Sequence, residues 1–141
     1  MGNQKLFGTN GVRGIVNKEM DSDLALKLGK AIGTWLEGEE VAIGTDTRLS
    51  NQMLKSAVSS GLMATGKEII DLGEAPTPAI QFYTRKKADF GVAITASHNP
   101  PEFNGIKCID EDGTELIRWK EKEIEDIYFA EEFDLVGWHE V

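Results

Sequence analysis

In Thr95-Ala96-Ser97-His98-Asn99-Pro100-Pro101 a serine and a histidine stand side by side, just ahead of two prolines. The prolines fix their own φ and restrict the residues before them, so this loop is stiff. A nucleophilic oxygen needs such fixed placement. Ser97 with His98 as its base invites a hydrolase reading. Neighbouring side chains on an extended segment point to opposite sides, and no Gly-x-Ser-x-Gly elbow surrounds Ser97, so that reading is disfavoured. A plain strand-to-turn connection built on Asn-Pro chemistry also fits these residues.

Three further segments bear on the same chemistry. Asn104-Gly105-Ile106-Lys107 follows directly, and Lys107 can return toward the loop to offer a proton or a positive charge; otherwise it is a surface lysine. Phe7-Gly8-Thr9-Asn10-Gly11-Val12-Arg13-Gly14 has three glycines in eight residues, presents Arg13, and allows close backbone approach. An arginine fork matches a phosphate, although the segment lacks the Gly-Lys-Ser/Thr of a Walker loop. In Gly44-Thr45-Asp46-Thr47-Arg48, Asp46 and Arg48 either pair with each other or brace the serine loop, and bracing is expected. Asp110-Glu111-Asp112-Gly113 resembles a fragment of a calcium loop but lacks the remaining ligands, so a hairpin turn is expected.

The elements that must hold these residues alternate. Asp21 or Ser22 caps a helix carrying Leu24, Leu28, Ala31, Ile32, Trp35 and Leu36, with Gly38 as its stop. Val41-Ala42-Ile43 reads as a buried strand. Ser50 caps a second helix with Leu54, Ala57, Val58, Gly61, Leu62 and Thr65 at helical spacing, closed by Gly66. Glu68–Leu72 is a strand, and Thr77-Pro78 supplies the N-cap and first turn of a third helix. Phe90–Thr95 is near-continuously apolar, as in a strand covered on both faces. Ile106–Ile109 is a strand, and a last helix runs from about Trp119 to Phe129.

This order predicts an α/β domain of three layers, with a mixed, mainly parallel sheet covered by helices on both faces. The loops after Ile43, Leu72 and Thr95 then converge on one edge if their strands are parallel, and ligands bind at such edges. Residues 1–130 form the expected domain. Residues 131–141, ending in Trp138-His139-Glu140-Val141 without turn or cap, read as the start of a linker to a second domain.

Composition narrows the function. A chain of 141 residues suits one domain burying roughly 68–70% of its extended surface. With 40% hydrophobic and 28% charged residues, neither disorder nor a fibrous repeat is indicated. A net charge of −9 argues against nucleic acid and an anionic lipid surface as partners. The lone Cys108 cannot build a disulfide framework or a multi-cysteine zinc site, which fits a reducing, cytoplasmic compartment. No apolar run approaches the ~20 residues of a membrane span. Met1–Leu6 lacks the apolar segment of a signal peptide, and Leu6 stands where N-myristoylation after Gly2 wants Ser or Thr.

Taken together, Thr95-Ala96-Ser97-His98-Asn99-Pro100 with Asn104-Gly105-Ile106-Lys107 resembles the phosphoserine loop of the α-D-phosphohexomutases, the superfamily of phosphoglucomutase, phosphomannomutase and phosphoglucosamine mutase. Phe7–Gly14 resembles its N-terminal signature, and Gly44-Thr45-Asp46-Thr47-Arg48-Leu49-Ser50 its Gly-x-Asp-x-Arg segment, in the style of archaeal and bacterial members. The resemblance covers the first of four domains. It implies that Ser97 is a phosphoserine exchanging its phosphoryl group with a sugar, and that its phosphate is one ligand of Mg²⁺. The other metal ligands are then expected in a second domain absent from this chain. It further implies Lys107 and Arg13 as acid/base candidates and His98 as a substrate or phosphoryl-site contact. Thr95, Asn99, Asn104, Asp46 and Arg48 become substrate or loop supports. The implied reaction converts hexose 1-phosphate to hexose 6-phosphate through a hexose 1,6-bisphosphate that reorients, with domains two to four as intramolecular partners. A chain of this length is expected to be inactive alone. The competing reading is a non-catalytic phosphosugar-binding or scaffolding module.

Overall fold

The computed structural model describes residues 5–141; Met1–Gln4, on which the reading of the N-terminus partly rests, lies outside the described residues. The elements in chain order are β1 (Val12–Ile15), α1 (Ser22–Trp35), β2 (Glu40–Thr45), α2 (Asn51–Ala64), β3 (Glu68–Glu74), α3 (Thr77–Lys87), β4 (Phe90–Ile94), β5 (Phe103–Ile109) and α4 (Arg118–Ala130). One sheet runs β1-β5-β4-β2-β3. Strand β2 is parallel to β3 and β4, whereas β5 is antiparallel to both β4 and β1. The carboxyl ends of β1, β2, β3 and β4 therefore share an edge, and the predicted convergence of loops holds.

Alternation along β4 explains the layers. Phe90, Val92 and Ile94 join Leu28, Ile32, Leu54, Val58, Leu62, Ile124 and Tyr128 in the main core, which puts α1, α2 and α4 on one face. Ala93 meets Ile80 and Ile109 on the other face, under α3. Helices α1 and α2 pack backbone to backbone: a Cβ on Gly61 would stand 2.3 Å from the Leu26 carbonyl oxygen.

Local chemistry matches the expectation in some places and departs in others. Asp21 caps α1 by accepting from the Leu24 N–H at 2.8 Å. That helix ends at Trp35, before Gly38, because Leu36 is already extended. Ser50 precedes α2 but makes no side-chain cap; its hydroxyl is taken by Asn104. Thr77 lies inside α3, whose cap position is Pro76. Gly66 closes α2 at φ +84°. Strand β1 was expected only as a glycine-rich segment; in the fold it is the four-residue edge strand beside β5. Asp110–Gly113 makes the expected turn, with Gly113 N–H on the Asp110 carbonyl at 2.9 Å. Residues 131–141 return over the ends of α1 and α2: Asp134 N–H donates to Thr34 Oγ1 and Val136 N–H to the Ala64 carbonyl. A 3₁₀ turn forms at Trp138–Glu140, where the sequence showed none.

Candidate active site

The connection from β4 to β5 holds Ser97 at its exposed tip, with φ +55°. A non-glycine residue in this left-handed region costs about 1–2 kcal/mol and persists only where its surroundings enforce it. Three sets of contacts do so. At the base, Thr95 N–H donates to the Gly105 carbonyl at 3.0 Å. A Cβ on Gly105 would lie 2.8 Å from the carbonyl oxygens of both Thr95 and Val12, so only glycine lets three strands meet there. Inside the loop, Ser97 N–H donates to Thr95 Oγ1 at 3.0 Å, and the Thr95 hydroxyl donates to Asp46 Oδ2 at 2.8 Å.

The third set is Arg48. Its Nη1 donates to the carbonyls of Pro100 (2.7 Å) and Phe103 (3.0 Å), and its Nη2 to those of Ser97 (3.0 Å) and Asn99 (2.7 Å). Its Nε meets Asp46 Oδ2 at 3.3 Å. An irregular loop leaves backbone carbonyls without ladder partners, and the planar guanidinium satisfies four of them at once. The two readings of Asp46 and Arg48 thus coexist: they pair, and they brace the loop.

Asp46 is itself fixed. It accepts from the Arg48 N–H (3.1 Å) and from Asn51 Nδ2 (2.8 Å), beside the Thr95 hydroxyl. Burial opposes its charge, but hydrogen bonds from Asn51, Thr95 and the Arg48 backbone, with the Arg48 charge, hold its carboxyl below the usual carboxylate range. Asn51 Oδ1 accepts from Asn104 Nδ2 at 2.8 Å, and fully buried Asn104 caps the chain of bonds by receiving the Gly105 N–H. Sequence reasoning missed Asn51. The available signal was its place three and seven residues ahead of Leu54 and Val58, on the buried face of α2.

Arg13 reaches the loop: its Nη1 donates to Asn99 Oδ1 at 2.8 Å. Its Nε is buried and has no partner among the described residues. Arg13 sits opposite Gly105 in the β1–β5 register, so Lys107, two residues along β5, shares its face of the sheet. The Lys107 ammonium is ion-paired with Glu115 at 2.9 Å rather than with the Ser97 loop. His98 is exposed beside Ser97. Asp46, Thr47, Arg48, Leu49, Ser97, Asn99 and Pro101 line a groove in front of the serine.

The donor set does not fit a metal site within this chain. Among the described residues no three His, Cys, Asp or Glu side chains gather, and Asp46, the carboxylate bonded to the loop, is engaged by Asn51, Thr95 and Arg48. What the arrangement offers is an exposed serine on a braced loop, with an arginine fork touching the same loop. That suits phosphoryl transfer, which needs positioning and charge neutralisation more than covalent work from side chains.

Comparison with known proteins agrees. The family model for phosphoglucomutase/phosphomannomutase, alpha/beta/alpha domain I, matches residues 4–135. A Thermococcus kodakarensis phosphoglucomutase/phosphomannomutase is 52% identical over 97% of this chain, which spans 31% of that relative. A phosphopentomutase of the same organism is 46% identical over 97% of the chain, which spans 30% of that relative. A crystal structure of a phosphoglucomutase/phosphomannomutase family protein from Burkholderia thailandensis superposes with a TM-score of 0.84 at 27% identity, covering 94% of this chain and 31% of that one. The match runs through every element that builds the Ser97 site, and the chain belongs to the phosphoglucomutase/phosphomannomutase family as its alpha/beta/alpha domain I.

Proposed function

We propose that this domain carries the phosphoserine of a phosphosugar mutase that interconverts hexose 1-phosphate and hexose 6-phosphate. The observation that carries the reading is Ser97, held in a left-handed conformation at an exposed tip by Arg48 and the Thr95–Asp46 pair. In the first half-reaction the bond from phosphorus to Ser97 Oγ breaks and a bond from phosphorus to a sugar hydroxyl oxygen forms. The hydroxyl proton leaves to a base, for which Lys107 is the candidate on this domain once its amine is released from Glu115; a guanidinium takes up no proton, so Arg13 supplies positive charge instead. The bisphosphate then turns, and its other phosphoryl group returns to Ser97 while the proton goes back to the freed hydroxyl. In this reading His98 and Asn99 contact the substrate and Arg13 meets phosphate oxygens; the exposure of His98 beside Ser97 and the Arg13–Asn99 bond support it. Mg²⁺ would take the Ser97 phosphate as one ligand and draw the rest from outside this chain.

The chain spans about 31% of the length of the curated relatives it matches. In this reading turnover needs further domains, and these are the partners of this edge. Lone, buried Cys108 and a phosphorylated substrate support a cytoplasmic setting. No described helix is long and apolar enough to cross a membrane. The decisive experiment incubates the full-length protein with hexose 1,6-bisphosphate carrying labelled phosphate. Label on Ser97, lost with most of the activity in Ser97→Ala, is expected. Label on Thr95, Thr45 or Ser50 would overturn the reading.

A further inference from the structure

Glu125 is a carboxylate with no exposed surface, in the middle of α4 and outside the Ser97 site. Burying a charge is costly unless it is paired and hydrogen-bonded. Glu125 is both. Its Oε2 accepts the consecutive backbone N–H groups of Leu6 (2.7 Å) and Phe7 (2.8 Å), and Arg118 Nη2 meets its Oε1 at 2.8 Å. An apolar residue would fill the same space in the core. The carboxylate does something an apolar residue cannot: it takes up two amide groups in a segment that has no strand neighbour.

That segment leads straight to Arg13. Beyond Phe7, whose ring is buried in the core, the chain turns at Gly8–Gly11, with Gly8 N–H on the Gly11 carbonyl at 2.8 Å. It then enters β1, which is four residues long and pairs with β5 alone. A short edge strand with one partner leaves its position along the sheet weakly determined, so a second anchor is needed. Arg13 has little slack, since its Nε is already buried without a partner and its Nη1 rests on Asn99 of the serine loop.

We propose that Glu125, pinned by Arg118, is a positioning residue that sets Arg13 against the Ser97 loop by holding the amides of Leu6 and Phe7. The proposal deepens the mutase reading and rests on it. Glu125 touches neither substrate nor loop, and its effect passes through the segment 6–13.

The test is a double-mutant cycle in the full-length protein, assayed with hexose 1-phosphate. Glu125→Gln keeps the shape and removes the charge. It is expected to lower kcat about tenfold with KM changed less than about threefold, because small displacements of a positioning group are costly in rate. In an Arg13→Ala background the same change is expected to cost less than about twofold, since coupled residues are not additive. An equal loss in both backgrounds would show a purely structural role and overturn the proposal, as would an unchanged kcat. Should Glu125→Gln fail to fold, Arg118→Gln, at the half-exposed outer end of the pair, runs the same cycle with a smaller loss expected and the same outcomes deciding. Ser97→Ala is assayed in parallel. Full activity there would sink the mutase reading itself, whereas an inactive Ser97→Ala beside an additive cycle would sink only the role of Glu125.

Discussion

The Thr95 hydroxyl donates to Asp46 at 2.8 Å, and the direction of that bond is forced. An ionised carboxylate only accepts. Thr95 therefore spends its proton on Asp46 and keeps a lone pair for the Ser97 N–H, 3.0 Å away. The charge on Asp46 thereby reaches the conformation of Ser97 through one hydroxyl.

Thr95→Val keeps the outline of the side chain and removes this relay. In the full-length protein the mutase activity is expected to fall roughly 10–100-fold, the scale of a misplaced reacting group. The domain is expected to lose about 1–2 kcal/mol in denaturant titration, as for an orphaned hydrogen-bond partner. Activity within twofold of the unmodified protein would count against the relay.

Arg48→Lys tests the clasp. One ammonium cannot span the four carbonyls that the guanidinium fork serves. The variant is expected to stay folded while amide exchange and proteolysis rise selectively at residues 96–103. An unchanged exchange pattern there would show that the prolines and the Thr95 bonds hold the loop without the fork.

Ser97→Gly separates stability from function. Glycine adopts φ +55° without steric cost, and Ser97 is exposed, so little packing is lost. The substitution is expected to stabilise the domain by about 0.5–1 kcal/mol while abolishing phosphoryl transfer, the usual sign of strain kept for function. A destabilised glycine variant would mean that the loop imposes no strain on the serine.

Much of this is legible in the amino-acid sequence. Asp21, Gly66 and the apolar run Phe90–Thr95 each carry a local signal strong enough to mark an element, and those marks hold. Strand β1 was not legible, because Val12-Arg13-Gly14-Ile15 is too short and glycine-broken to show alternation; its pairing with residues 103–106 supplies what its sequence lacks. Ser50 looked like a cap because caps are local, whereas its actual partner, Asn104, is 54 residues away. Asn51 and Glu125 are polar residues on buried helix faces, which composition and motif matching pass over and helical phase does not.

Acid should unfold the domain through these same carboxylates. For Glu125 burial raises the pKa, but hydrogen bonds from Arg118, Phe7 and Leu6 outweigh it, so its folded value, like that of Asp46, lies below the ordinary one. The unfolded chain then binds more protons than the native one in acid. The stabilisation is complete above roughly pH 4.5 and is lost as pH falls through the folded-state values. Unfolding free energies measured between pH 3 and pH 7 are expected to show a shallower slope for Asp46→Asn and Glu125→Gln. Parallel slopes for all three proteins would refute the assignment.

Cys108 should be silent. Burial, with the charge of Glu121, pushes its thiol far above the ordinary range. A disulfide reagent at pH 8 is expected to leave the native domain unmodified and to titrate one thiol once denaturant is added. Rapid modification of the folded domain would show that β5 opens.

The contact between Phe7 and Glu125 spans 118 positions, and it has a consequence for synthesis. A chain leaving the ribosome can pair β2 with β3 and stack α1 on α2 while its later half is still unmade. Segment 6–13 cannot join them. Arg13 has no strand to lie against until Gly105 has emerged, and Leu6 and Phe7 have no acceptor until Glu125 follows. Segment 6–13 is thus among the last parts of the domain to find its place, and the candidate catalytic edge is completed only after α4 has been translated.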